Sequence, residues 1–209
     1  MGQLIVQQFV TADGFAANSN NEFNAYELLE GGTAQFDQSQ LAWLETVDAM
    51  VLGAATYRMF AEYWPTPASE GEIIAPALNG LRRFVFSRRL GRAPWGDLPE
   101  ATLESGDAVE AIRRIKSEIE GTIVLWGSLT LSEAFFSAGE VDGVRLVTMP
   151  VAIGAGRGVF PAGKDPALLH LQSATTYDAG LVELVYTLAA RQSPARQSPA
   201  RQSPNQSAG

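Results

Sequence analysis

The sequence predicts an α/β fold, a mixed and mostly parallel sheet flanked by helices and closed by a C-terminal antiparallel hairpin. Short apolar runs alternate with segments of helical spacing, the pattern of parallel strands joined by crossover helices. Two of those runs end in the same kind of corner. Ala49-Met50-Val51-Leu52 enters Gly53-Ala54-Ala55-Thr56-Tyr57, and Ile123-Val124-Leu125-Trp126 enters Gly127-Ser128-Leu129-Thr130-Leu131. Finally, Leu168–Tyr177 and Leu181–Leu188 read as two strands joined at Asp178-Ala179-Gly180, a hairpin that makes the sheet mixed.

Leu4–Val10 is a mostly apolar and therefore central strand, after which Asp13-Gly14 turns the chain. Residues 15–36 are polar and rich in Gly and Asn, a long loop of the kind that carries function or moves. Leu41, Leu44 and Val47 repeat at helical spacing from Asp37, and the strand Ala49–Leu52 follows. Thr56–Tyr63 is a short helix stopped by Trp64-Pro65, and a second lies near Pro76–Leu81. Arg83–Ser87 is a strand, residues 88–100 a Gly/Pro-rich loop and Ala101–Glu104 a short strand. Asp107 caps a helix with Val109, Ile112, Ile115 and Ile119 on one face, and Gly121 is its expected C-cap. Thr122–Trp126 is a strand, Thr130–Ala138 a helix, and Val144–Met149 a strand limited by Pro150.

The chain divides into a domain, 1–189, and a tail, 190–209, that repeats Ala-Arg-Gln-Ser-Pro three times and is expected to be disordered. The 209 residues are 46% apolar, enough for one core, without a run long enough to cross a membrane. No basic n-region with a cleavage site follows Met1, and cysteine is absent. A cytoplasmic protein without disulfides or thiolate chemistry is expected. Before the tail, 12 bases face 23 acids, a balance of −11 that disfavours nucleic acid as a partner. Arg82, Arg83, Arg88, Arg89 and Arg92 gather five of those bases within eleven residues, where an anionic ligand needs them.

A glycine at a strand–helix corner lets a ligand approach the main chain, and the helix start beyond offers free N–H groups and a positive dipole end. Two such corners in one α/β domain suggest a dinucleotide. Thr56 is placed to bond a phosphate, with a plain helix cap as the alternative. Ser87-Arg88-Arg89 follows another strand end and supplies the chemistry a 2′-phosphate needs, which favours NADP over NAD. Gly154-Ala155-Gly156-Arg157-Gly158 does not precede a helix and reads as a turn-rich connection. His170 is the only histidine, so neither a Ser–His–Asp triad nor a metal centre has much to build on. Asp13, just past the first strand, is the candidate catalytic acid, with an Asp-Gly turn as its structural alternative. Phe15, Tyr57, Trp64 and Trp126 are candidate walls of a substrate pocket, each with a core role as the alternative.

In their order, Val10-Thr11-Ala12-Asp13-Gly14, Met50–Tyr57, Phe84-Val85-Phe86-Ser87-Arg88, Val124–Ser128 and Val141–Pro161 span residues 3–188 together. The ordered set resembles the dihydrofolate reductase-like superfamily, and within it the reductase domain of bacterial riboflavin biosynthesis and its stand-alone relatives. The resemblance implies a three-layer fold, a homodimer, NADPH as hydride donor, and a small polar heterocycle (pteridine- or ribosylaminopyrimidine-like) or carbonyl compound as acceptor. By position it implies that Gly53, Ala55 and Thr56 meet the cofactor's pyrophosphate. Ser87 and Arg88 would meet the 2′-phosphate, and Gly127, Ser128, Leu129 and Thr130 would form the second phosphate loop. Asp13 would face the substrate beside the nicotinamide. Relatives often carry Arg after the first-corner glycine, where this chain has Ala54, so Arg88 or Arg89 has to compensate. Dihydrofolate reductases carry a pterin-binding acid on the first helix, and either Asp37 or Gln40 falls at that position. No deaminase zinc motif is present. A nucleotide-binding or sensor module on the same fold, without turnover, is the alternative.

Overall fold

The computed structural model describes residues 1–23, 28–163 and 168–188. The expected tail, 190–209, lies outside the described residues, as does part of the long loop after the first strand. The strands are β1 (Gln3–Thr11), β2 (Val47–Gly53), β3 (Arg82–Phe86), β4 (Thr102–Glu104), β5 (Thr122–Trp126), β6 (Gly143–Met149), β7 (Leu169–Thr176) and β8 (Val182–Leu188). The helices are α1 (Ala34–Leu44), α2 (Ala54–Tyr63), α3 (Ala75–Gly80), α4 (Ala108–Glu118) and α5 (Leu129–Ala138). One sheet forms in the order β4-β3-β2-β5-β1-β6-β8-β7. The pairings from β4 through to β6 are parallel, and β8 runs antiparallel to both β6 and β7.

The apolar runs are nearly continuous because the central strands are buried on both faces. Along β2, Ala49 and Val51 pack with α4 and α5 through Ile112, Ile115, Phe135 and Phe136. Met50 and Leu52 point the other way, towards Tyr57, Phe60 and Trp64 of the α2 region and Leu78 of α3. A smaller cluster unites Phe36 of α1 with Val147, Met149 and Leu181. Three layers result.

Two expectations are corrected. The first helix runs from Ala34 to Leu44 rather than from Asp37 to Val47, because Val47 already opens β2. Gly121 is not the C-cap of α4, which closes at Ile119 in an extended conformation. Its Cα hydrogen faces Asp48, and a Cβ there would sit 1.8 Å from Asp48 Oδ2. That carboxylate accepts the Thr122 N–H at 2.8 Å, so a glycine is needed where it reaches the chain. The Asp107 cap is formed as expected, its Oδ1 accepting the N–H groups of Val109 and Glu110, both at 2.9 Å.

Candidate active site

The parallel strands present their C-terminal ends on one edge, the side on which open α/β sheets bind ligands. β2 and β5 are neighbours, with Leu52 opposite Trp126, so the two glycine corners lie side by side. Both helices begin there without a side-chain cap, leaving two first turns of N–H groups at one edge.

The glycines have a reason the sequence does not show. A Cβ on Gly53 would lie 2.8 Å from Ser128 Oγ, and one on Gly127 would lie 2.7 Å from Thr56 Oγ1. The close approach they permit is that of one corner to the other. Gly53 N–H donates to Ser128 Oγ at 2.7 Å, and the hydroxyls of Thr56 and Ser128 are 3.0 Å apart. Gln8 Nε2 donates to the Gly127 carbonyl at 2.5 Å. Ser128 itself is left-handed (φ 55, ψ 50), a conformation costing an L-residue roughly 1–2 kcal/mol. The hydroxyls of Thr56 and Ser128 therefore hold the corners together, while the main-chain N–H groups of Ala55, Leu129 and Thr130 belong to the uncapped first turns.

β3 ends beside β2. Ser87 Oγ accepts the N–H groups of Arg89 and Leu90 at 3.1 Å each, which turns the chain and projects the arginines. Arg88 and Arg89 are exposed, and neither has an ion pair among the described residues. The five-arginine group does not act together. Arg83 is buried and donates to the carbonyls of Asn79, Leu81 and Pro99, and Arg92 pairs with Glu100. Arg82 lies over Phe84 at the opposite end of the strand.

Asp13 follows β1 on the same edge, but its carboxylate is engaged. It accepts the Thr11 hydroxyl at 2.6 Å and the N–H groups of Gly154 at 2.7 Å and Ile153 at 3.1 Å. The Thr11 hydroxyl, then the Gly154 N–H, hold its pKa below the usual carboxylate value. The carboxylate thereby ties the loop after β1 to the loop after β6. Phe15 shares this junction. Its carbonyl accepts the Thr11 N–H at 2.9 Å, and its Cβ lies 3.1 Å from where a Cβ on Gly156 would stand.

The other proposed pocket walls separate. Trp126 is buried at the edge, against Phe60, and its Nε1 donates to Gln7 Oε1 at 2.7 Å. Tyr57 points into the core, donating to the Pro94 carbonyl at 2.7 Å beside Trp95. Burial raises its phenol pKa. Trp64 lies at the far end of the ten-residue α2, about 15 Å from the corner, and lines a separate cavity of about 520 Å³ with Pro67, Pro76 and Leu98.

The sequence reading passed over Gln7. It forms a reciprocal amide pair with Gln40 of α1, at 2.9 and 3.1 Å, and both side chains are at least 95% buried. Gln40 thus occupies the interior position on the first helix. Asp37 instead accepts the Thr33 hydroxyl at 2.8 Å, with its pKa raised by partial burial. Beside Gln7 in the sheet, Arg145 stacks 3.8 Å over the Trp43 ring and pairs with buried Glu183. The available signal was the pair Gln7-Gln8, two amides inside a strand whose neighbours are apolar.

A family model of the RibD C-terminal domain matches residues 3–182. The chain is 25% identical over 187 residues to the uncharacterized protein YyaP of Bacillus subtilis (strain 168), covering 88% of this chain and 94% of that one. Among solved structures, a Shewanella sp. PV-4 protein named for riboflavin biosynthesis superposes with a TM-score of 0.70 at 17% identity. That match covers 90% of this chain and 99% of the other. Dihydrofolate reductase from Enterococcus faecalis, complexed with NADP(H), superposes with a TM-score of 0.50 at 14% identity, covering 89% and 96%. The sheet, its order of elements and these matches agree: the chain has a dihydrofolate reductase-like fold and belongs to the RibD C-terminal domain family.

Proposed function

We propose that this protein is an NADPH-dependent reductase that transfers hydride to a small polar heterocycle, pteridine- or ribosylaminopyrimidine-like, or to a carbonyl compound. The observation that carries it is the pair of uncapped helix starts, α2 and α5, locked side by side on the ligand edge. Such a pair suits a pyrophosphate, with N–H groups and two positive dipole ends. Arg88 and Arg89, exposed and without an ion pair among the described residues, suit a 2′-phosphate and stand in for the arginine that Ala54 replaces. When bound, the nicotinamide supplies the hydride. The chain's own part is to orient the acceptor beside Trp126 and Phe15 and to hold the loops with Asp13. The proton comes from water or through Asp13. A cytoplasmic homodimer completes the proposal.

One observation favours the alternative, a nucleotide-binding module without turnover. Gln7, Gln40 and Trp126 satisfy one another where an acid is found in dihydrofolate reductases. The test is a titration with NADPH and NADH followed by tryptophan fluorescence, then a screen of acceptors for NADPH oxidation. Micromolar NADPH binding, weaker for NADH, with saturable oxidation supports the reductase. Binding without oxidation by any acceptor supports the module, and no binding of either nucleotide at millimolar concentration rejects both.

A further inference from the structure

We infer that the third Ala-Arg-Gln-Ser-Pro repeat of this chain, residues 200–204, docks in the cavity beside α3 and the end of α2, its arginine at Glu70 and Asp97 and its proline on Trp64. The cavity, about 520 Å³, falls within the size range of small-ligand pockets. Trp64, Pro67, Pro76 and Leu98 give it apolar walls, and Leu98 is 43% exposed. The walls are fixed in place, because the Trp64 carbonyl accepts Ser69 Oγ at 2.7 Å and Asn79 Nδ2 at 2.8 Å. Glu70 and Asp97 stand exposed on the rim, and neither carboxylate has an ion pair or a hydrogen bond among the described residues. No lysine or arginine lines the cavity. Apolar walls with a negative rim suit a guanidinium beside an apolar group, since the guanidinium pairs with carboxylates and stacks on indole.

The occupant follows from charge, spacing and reach. Residues 189–209 carry Arg191, Arg196 and Arg201 and no Asp or Glu, against a balance of −11 in the domain before them. In a polyproline-type helix three residues make one turn, so each arginine shares an edge with the proline three residues on. Aromatic-lined grooves take proline-containing segments in that form. Reach selects the repeat. β8 runs antiparallel to β6, so Leu188 leaves the sheet at the N-terminal edge of the parallel strands. The end of α2 lies towards that same edge, since α2 starts from the opposite one. β8 and β3 are five strand spacings apart, about 24 Å. Fully extended from Leu188, the chain carries Arg191 about 10 Å, Arg196 about 26 Å and Arg201 about 43 Å. The path also passes from the sheet to the helix layer, which leaves the third repeat alone the slack to enter. A flexible tether of this kind holds an effective concentration in the millimolar range, so even a contact of millimolar affinity is roughly half populated.

The test compares proton–nitrogen NMR spectra of the full chain and its variants. Arg201→Gln should shift the Trp64 indole N–H and the Asp97 and Leu98 amides, whereas Arg191→Gln should leave them at their wild-type positions. Raising salt to about 0.5 M should move wild type towards the Arg201→Gln positions, because the contact is between charges. In a background of Glu70→Gln with Asp97→Asn, Arg201→Gln should change nothing at these positions. Glu110→Gln with Glu120→Gln makes the same change of charge beside α4, away from the cavity, and should preserve the effect. An Arg201→Gln spectrum identical to wild type overturns the inference. So do equal shifts from Arg191→Gln, or shifts that persist in the Glu70 and Asp97 background. Shifts that grow with protein concentration put the repeat on a second copy and overturn docking within one chain. The two glycine corners lie at the other end of α2, so NADPH titration of Arg201→Gln should match wild type, and the reductase proposal stands or falls separately.

Discussion

The main-chain N–H of Gly53 donates to the side-chain oxygen of Ser128 at 2.7 Å, across 75 residues of sequence. That bond ties the start of α2 to the start of α5, so the two helix ends face the C-terminal edge of the parallel strands as one unit. Ser128→Ala should strand the Gly53 N–H and cost about 1–3 kcal/mol. The NADPH Kd should rise several-fold. Ser128→Gly loses the same bond but accepts the left-handed backbone freely, and should be about 1 kcal/mol more stable than Ser128→Ala. Equal melting of the two variants would show that the backbone conformation is not under strain.

Arg88 is exposed and makes no ion pair among the described residues. If it meets the 2′-phosphate, Arg88→Ala should weaken NADPH roughly 10- to 100-fold, the worth of one charge-assisted bond, and leave NADH unchanged. Equal losses for the two nucleotides would move the arginine to the pyrophosphate or out of the site.

Asp13 joins two loops through Thr11, Gly154 and Ile153, and those donors lower its pKa. A lowered carboxylate pKa favours the joined state above the unfolded value, about 3.9, and loses that advantage as pH falls through the folded value. The amides of Ile153 and Gly154 should therefore exchange faster with solvent below about pH 4, beyond the acid trend of the remaining amides. Asp13→Asn should show fast exchange at both amides already at neutral pH. Exchange that ignores both pH and the substitution would leave Asp13 without a joining role.

Gln7 holds two partners and Gln40 one. Gln40→Leu removes the reciprocal pair, whereas Gln7→Leu also strips the acceptor of Trp126 Nε1. Each lost buried partner costs about 1–3 kcal/mol, so chemical denaturation should rank Gln7→Leu below Gln40→Leu. The reverse order would mean that Trp126 finds another acceptor.

Arg145 and Glu183 form a buried pair, with Tyr177 donating to Glu183 Oε2 at 3.2 Å. Burial lowers the Arg145 pKa, and the nearby Glu183 carboxylate partly offsets it. Glu183→Gln leaves the guanidinium buried without its counter-charge and should cost about 3–5 kcal/mol in urea unfolding. A loss under about 1 kcal/mol would mean that stacking on Trp43 carries the cation by itself.

The sequence by itself determined the strands, the helices and the two corners, because each is written in local periodicity and turn chemistry. Thr122–Trp126 is found residue for residue, and Asp107 caps the helix it precedes. It also determined the candidate ligand edge, since the glycines and Ser87-Arg88 follow strand ends. Only the tertiary structure decided which side chains do what there. Whether Tyr57 lines a pocket or fills the core depends on which face of α2 meets the sheet, and it meets Trp95. Whether Asp37 or Gln40 turns inward depends on the rotation of α1, and that choice is sealed by Gln7, 33 residues away. The arginines look like one group along the chain because they are close in sequence. Arg82 and Arg83 open the five-residue strand β3 and Arg88 lies past its other end, roughly 15 Å or more along it, so distance along the chain becomes distance across the sheet.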